Sequence, residues 1–186
     1  MTTIYIPGFS AGGFAPRLRD SIPWLRVAET RSECFLAESR TPLSYTYGTG
    51  RGVRTYTSVP MIPFVRDLMG IVNEELWRYG WDPMNVCFLN MYLSGKDHLG
   101  WHSDDHPGTD HTRPIAVLSY GQAREIWWRP TGEPGVVPPE RRQLLGDGSL
   151  FIMPPGMQFT HEHRIPKGDR EMGMRISLTF RAFLPG

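Results

Sequence analysis

The sequence predicts a mainly β fold, a jelly roll with a helix packed outside it: an α+β chain in which strands predominate. Three observations predict it. Short apolar runs rich in β-branched and aromatic residues recur through the second half, and Gly, Pro and Asp clusters separate them every ten or so positions. Only one stretch carries the roughly 3.6-residue period of an amphipathic helix. The length of 186 residues suits one core, since cores usually stop growing near ~250 residues.

Taken in order, residues 1–60 are broken by Pro and Gly, and their short runs "CFLAES" and "LSYTYG" read as strands or loops rather than helices. From Pro63, the residues Phe64, Val65, Leu68, Met69, Val72, Leu76 and Trp77 recur at helical spacing, and Gly80 supplies the stop. Strands follow at "VCFLNMYL", "PIAVLSYG", "REIWWRP", "RRQLLG", "SLFIMP" and "RISLTFRAF". The whole of 1–186 is expected to be one domain, with 85–183 its jelly-roll core and 1–60 contributing outer strands.

The formal charge of +1 argues against a strongly basic nucleic-acid binder, although placement of charge matters more than its sum. Of 20 basic residues only Lys96 and Lys167 are lysine, so the positive charge is almost all guanidinium, which forks onto carboxylates and phosphates. Cys34 and Cys87 stand alone and suit a reducing compartment, so cytoplasm is expected, or the nucleus in a eukaryote. No stretch approaches the ~20 apolar residues of a membrane helix. The opening "MTTIYIPGFSAGGF" lacks the charged and apolar regions of a signal peptide. A monomer without membrane association or an obligate protein partner is expected.

Residues 90–108, "NMYLSGKDHLGWHSDDHPG", concentrate ligand chemistry. In an extended chain alternate residues share a face, so His102 and Asp104 in "WHSDD" converge. An imidazole and a carboxylate need one further donor to make the facial triad that leaves open positions on Fe(II), and His161 or His163 in "THEHRIP" could supply it. The same alternation in "RISLTFR" sets Arg175, Ser177, Thr179 and Arg181 opposite Ile176, Leu178 and Phe180. Two inward-facing arginines are costly to bury without an anionic partner, and a dicarboxylate would satisfy them. In "FLNMYL", Asn90 and Tyr92 share the face opposite Leu89, Met91 and Leu93, and both can hydrogen-bond a carboxylate.

"N-x-Y" at 90–92, "WHSDD" at 101–105, "PIAVLSYG" at 114–121, "GSLFIMPPGMQ" at 148–158, "H-x-x-P-K" at 163–167 and "R-x-S-x-T-F-R" at 175–181 stand in an order that resembles the AlkB-type family of Fe(II)/2-oxoglutarate-dependent dioxygenases. The resemblance implies the double-stranded β-helix, a jelly roll. It makes His102, Asp104 and His163 the iron ligands, with His163 preferred to His161 because "R-I-P-K" follows it. It gives 2-oxoglutarate to Asn90, Tyr92, Arg175, Ser177, Thr179 and Arg181, with Arg175 on the distal carboxylate, and makes O2 the third reactant.

The implied activity is oxidative demethylation of N-alkylated bases such as 1-methyladenine and 3-methylcytosine in DNA or RNA, single-stranded by preference. Succinate and formaldehyde are the expected products. Upstream, where the family places a nucleotide-recognition lid, Tyr56 is the candidate for stacking on a base, and Arg51 and Arg54 for contacting phosphate. Asp105 and His106 follow the metal motif and face the substrate; relatives usually carry Glu at the position of His106 and many carry Asn at that of Ser177. Two other readings stand beside this one. One is a 2-oxoglutarate-dependent hydroxylase of a protein, a small molecule or a modified base; the other is a non-oxidising metal-binding jelly-roll module using His102, His161 and His163.

Overall fold

In a computed structural model, which describes residues 2–47, 53–132 and 138–184, the chain forms a β-sandwich with helices on one outer face. The elements run β1 (Ile4–Ile6), α1 (Ala15–Ser21), β2 (Leu25–Ala28), β3 (Arg31–Ala37), β4 (Ser44–Tyr47), β5 (Arg54–Thr57), β6 (Val59–Pro60) and α2 (Pro63–Trp77). There follow β7 (Val86–Tyr92), β8 (Leu99–His102), β9 (Ile115–Gly121), β10 (Arg124–Pro130), β11 (Arg141–Leu145), β12 (Ser149–Met153), α3 (Met157–Thr160), β13 (His161–Ile165) and β14 (Arg175–Arg181).

The major sheet has the order β1-β12-β9-β14-β7-β3-β2, with β6 parallel to β3, and the minor sheet has the order β11-β10-β13-β8. From β7 onward the chain alternates between the sheets except at the β10–β11 pair, which is the jelly-roll path. One crossing is made at Gly121, whose φ of 86° is open to glycine at little cost; an added Cβ would meet the Met174 carbonyl. Strands from the first sixty residues extend the major sheet at both ends, through β1 on β12 and β3 on β7.

Helix α2 begins with Pro63, whose fixed φ suits a first turn, and buries Val65, Leu68, Met69, Val72 and Leu76 against the major sheet. Trp77, which the periodicity assigns to that stripe, is 70% exposed at the helix end. The sequence marks no helix before Pro63, yet the structure has α1, which starts with a proline in its first turn and buries Ala15 and Leu18. Seven residues make too few turns to print a helical period in sequence.

Apolar side chains of β7, β9, β12 and β14 face α1 and α2 on one side, where Leu89, Met91, Leu118, Ile152, Ile176, Leu178 and Phe180 are buried. Their alternates face the minor sheet. There Phe151, Met153, Ile126, Trp128 and Ile165 fill one end, and Phe35, Phe88, Phe183, Tyr45 and Tyr56 fill the other beneath the β4–β5 hairpin. The outer face of the minor sheet carries a guanidinium–indole ladder. Arg142 lies over Trp127, Arg164 lies between Trp127 and Trp101, and Arg129 lies over Trp101, at 3.8 to 4.5 Å from the rings. Trp101 and Arg164 neighbour His102 and His163 in sequence, so the ladder clamps the two strands that present those histidines inward.

Candidate metal centre

His102 ends β8, and its register partner on β13 is His163, which brings the two imidazole centroids to 4.1 Å. Asp104, two residues beyond β8, completes the group: the His102 and His163 Nε2 atoms each lie 3.8 Å from a different Asp104 carboxylate oxygen. These three residues form the cluster among the described residues that could hold a metal ion, with ligand atoms within 4.8 Å of one another. The pairing is local in origin, because antiparallel register places two inward side chains opposite each other and the H-x-D spacing returns the carboxylate to the same side.

Surrounding groups fix the ligands. The His102 Nδ1 lies 2.9 Å from the Gly100 carbonyl, so that nitrogen carries the hydrogen and Nε2 keeps its lone pair for the centre. The Asp104 backbone N–H donates to Gln158 Oε1 at 2.9 Å. Arg181 Nη2 pairs with Asp104 Oδ2 at 2.6 Å, and the Tyr45 hydroxyl donates to Oδ1 at 3.2 Å. Burial alone would raise the Asp104 carboxyl, but Arg181 and the two imidazoles outweigh it and hold the group well below the usual carboxylate range. Burial pushes His163 down to about 3 and lowers His102 as well. At neutral pH the centre is therefore one carboxylate and two neutral imidazoles, the protonation state a divalent ion requires.

The three residues open on a cleft also lined by Asn90, Tyr92, Arg175, Ser177, Thr179 and Arg181. Arg175 is 1% exposed and donates through Nη2 to Ser119 Oγ at 2.9 Å, while its Nε and Nη1 have no partner among the described residues. Arg181 keeps Nε and Nη1 likewise unpartnered. Burial lowers the Arg175 guanidinium to about 10, which still leaves it charged at neutral pH. Orphaned donors of two buried cations, next to a carboxylate–imidazole cluster, fit a diacid spanning from the centre to the cleft floor.

The remaining candidates fall elsewhere. His161, two residues from His163, faces a separate cavity with Arg141 and Trp128, and its Nδ1 lies 2.8 Å from Thr160 Oγ1. The three-histidine set of the non-oxidising reading is therefore not assembled. Tyr56 as a base-stacking surface is corrected: the side chain is 4% exposed, its ring meets Phe88 edge-on at 5.0 Å, and its hydroxyl donates to Glu33. Arg54, expected on phosphate, has its Nη1 3.4 Å from Glu33. Arg51 lies outside the described residues. Asp105 is exposed, and the half-buried His106 ring lies 5.5 Å from and nearly parallel to Phe183. Sequence reasoning missed Tyr45, Gln158, Ser119 and Arg31. Ser119 alone carried a signal, since it shares a face with Val117 and alternates with Leu118 and Tyr120 on a strand already identified.

A centre of two imidazoles and a carboxylate, set in a jelly roll beside arginines that await an anion, defines a metal-dependent, diacid-using class of protein. The chain belongs to the 2OG-Fe(II) oxygenase superfamily, whose profile matches residues 21–181, and is an AlkB-type member of it. It is 30% identical over 149 residues to DNA oxidative demethylase ALKBH2 of Bos taurus, covering 78% of this chain and 51% of that one. It is 29% identical over 194 residues to alpha-ketoglutarate-dependent dioxygenase alkB homolog 3 of Homo sapiens, covering 96% of this chain and 65% of that one. The chain thus spans about half to two thirds of the length of these curated relatives. The solved structure of OsALKBH1 superposes with a TM-score of 0.64 at 16% identity, covering 96% of this chain and 97% of that one, a likeness of fold. Fe(II), 2-oxoglutarate and O2 are the family's cofactor and cosubstrates, and the donor set and orphaned guanidiniums fit them. No helix among the described residues is long and apolar enough to cross a membrane.

Proposed function

We propose that this protein removes N-alkyl groups from bases such as 1-methyladenine and 3-methylcytosine in DNA or RNA, with single strands preferred, forming succinate and formaldehyde. One observation carries the reading: His102, Asp104 and His163 converge beside the unpartnered donors of Arg175 and Arg181. The names of the relatives, DNA oxidative demethylase among them, supply the substrate class.

When bound, Fe(II) and 2-oxoglutarate supply the oxidation of the alkyl group by O2, coupled to decarboxylation of the cosubstrate. The chain's part is placement and charge. His102, Asp104 and His163 would hold the metal. Arg175, anchored by Ser119, would receive the distal carboxylate, with Ser177, Thr179, Tyr92 and Asn90 along the same wall and Arg181 serving both the cosubstrate and Asp104. Buried walls of Phe88, Val117, Ile126 and Ile165 exclude water from the space between. Residues 85–183 would form the catalytic core, while 1–60 would contribute the side at which a nucleotide is recognised. Asp105 and His106, exposed and half-buried beyond the metal motif, would meet the base. A base held in a stack must first be flipped out at a cost of a few kcal/mol, which single strands reduce.

A hydroxylase of some other substrate would share this centre, and the near-neutral charge of +1 favours it. Formaldehyde release is to be measured across methylated single- and double-stranded DNA and RNA oligonucleotides. Release from them supports dealkylation; 2-oxoglutarate turnover that no methylated nucleic acid stimulates rejects it in favour of the hydroxylase.

A further inference from the structure

The β4–β5 hairpin carries two tyrosines directly opposite each other, Tyr45 and Tyr56, with both side chains buried and both rings against Phe88 at 5.3 and 5.0 Å. Cross-strand partners share a face, so both hydroxyls point inward from the same strand pair. Their targets differ. Tyr45 donates to Asp104 Oδ1 at 3.2 Å. Because Arg181 holds Oδ2, both carboxylate oxygens have a protein donor, which fixes the plane in which their remaining lone pairs face the centre.

Tyr56 acts at longer range. Its hydroxyl donates to Oε2 of Glu33, a carboxylate with no exposed surface, and Arg54 Nη1 approaches the same oxygen at 3.4 Å. The other Glu33 oxygen takes Arg31 Nη2, and Arg31 Nε donates to Asn90 Oδ1 at 2.9 Å. That last contact orients the amide: with its oxygen held by a donor, Asn90 must turn its NH2 group away from Arg31, along the cleft wall it lines. Burial and the adjoining Glu33 push the Tyr56 phenol up to about 12, so it stays a donor at any working pH. Arg31 is itself buried, and Glu33 keeps its charge compensated.

We propose that Tyr45 and Tyr56 are positioning residues: one hydroxyl sets the metal carboxylate Asp104, while the other, through Glu33 and Arg31, sets the Asn90 amide toward the cosubstrate. The proposal rests on the cosubstrate assignment made above. Tyr45→Phe and Tyr56→Phe each remove one hydroxyl and leave the packing on Phe88. Calorimetry without turnover reads the two roles apart, first with Mn(II) on the apoprotein and then with 2-oxoglutarate on the Mn(II)-loaded protein. Tyr45→Phe is expected to weaken Mn(II) binding about tenfold, as loss of a partner to a ligand carboxylate does, with 2-oxoglutarate affinity held within about twofold. Tyr56→Phe is expected to do the reverse, an approximately tenfold loss for 2-oxoglutarate with Mn(II) binding kept. The proposal is overturned if both variants bind as the wild type does, or if both affinities fall together in step with thermal stability. Should wild-type protein loaded with Mn(II) take up no 2-oxoglutarate, the cosubstrate reading itself fails, and this proposal with it.

Discussion

Arg181 and Asp104 form a 2.6 Å ion pair at the centre of the cleft, with their side chains 4% and 3% exposed. Removing one member of such a pair leaves the other buried without compensation, which typically costs about 3–5 kcal/mol. Arg181→Met keeps most of the volume and removes the charge. It is expected to destabilise the apoprotein by about that amount in urea titration. Because a divalent ion would itself compensate Asp104, saturating Mn(II) should recover part of the loss in Arg181→Met, and equal losses with and without metal would contradict the shared role of this carboxylate.

The acid response follows from the histidines. Burial sets both imidazoles below the ordinary 6.5, His163 down to about 3, so as pH falls below 6.5 the unfolded chain takes up protons there more readily than the folded one. Their contribution to stability is therefore complete above about 6.5 and is lost as pH falls through that value toward the folded pKa. Each proton taken up only by the unfolded chain costs about 1.4 kcal/mol per pH unit. Urea titrations of the apoprotein between pH 7 and pH 4 should show a stability that falls with acid, and His163→Asn should flatten the slope. An unchanged slope in that variant would mean that His163 is not held neutral.

Much of the site was legible because a strand has a period of two. β7 and β14 bury both faces, yet Leu89, Met91, Ile176, Leu178 and Phe180 go to the helical side while Asn90, Tyr92, Arg175 and Arg181 go to the cleft, as alternation requires. "RTYTS" held the same signal, since alternation buries Tyr56 and exposes Thr55 and Thr57, but placing Tyr56 on a base overrode it. What could not be read is what acts across long separations. Tyr45 and Gln158 reach Asp104 from 59 and 54 residues away, and no local pattern marks either as its partner. Alternation could not choose between His161 and His163, because both occupy the same alternate positions of β13; the "R-I-P-K" that follows His163 made the choice, and the register of β13 on β8 agrees with it.

That choice makes a paired prediction. His163→Ala removes a member of the three-residue cluster and should abolish Mn(II) binding measured by calorimetry. His161→Ala touches a side chain turned toward Thr160 and a separate cavity, and should bind Mn(II) as the wild type does. Loss of binding in both would place His161 within reach of the metal and contradict the register of β13 on β8.

Two glycines separate backbone demand from mere tolerance. Gly121 closes β9 with a φ of 86° where the chain leaves the major sheet for the minor one, and an added Cβ would press on the Met174 carbonyl, a backbone atom held in place just before β14 begins at Arg175. Gly121→Ala combines a disfavoured backbone conformation with that collision, so a loss of at least about 2 kcal/mol is expected. The strain would fall on the β9–β14 register and hence on Arg175, the Cα partner of Gly121. Gly70 lies inside α2 with open space around its added Cβ. Gly70→Ala should instead stabilise by about 0.5–1 kcal/mol, because alanine loses less conformational entropy on entering a helix. Urea midpoints of the two variants should move in opposite directions, and a stable Gly121→Ala protein would mean that the crossing can be rebuilt without its left-handed turn.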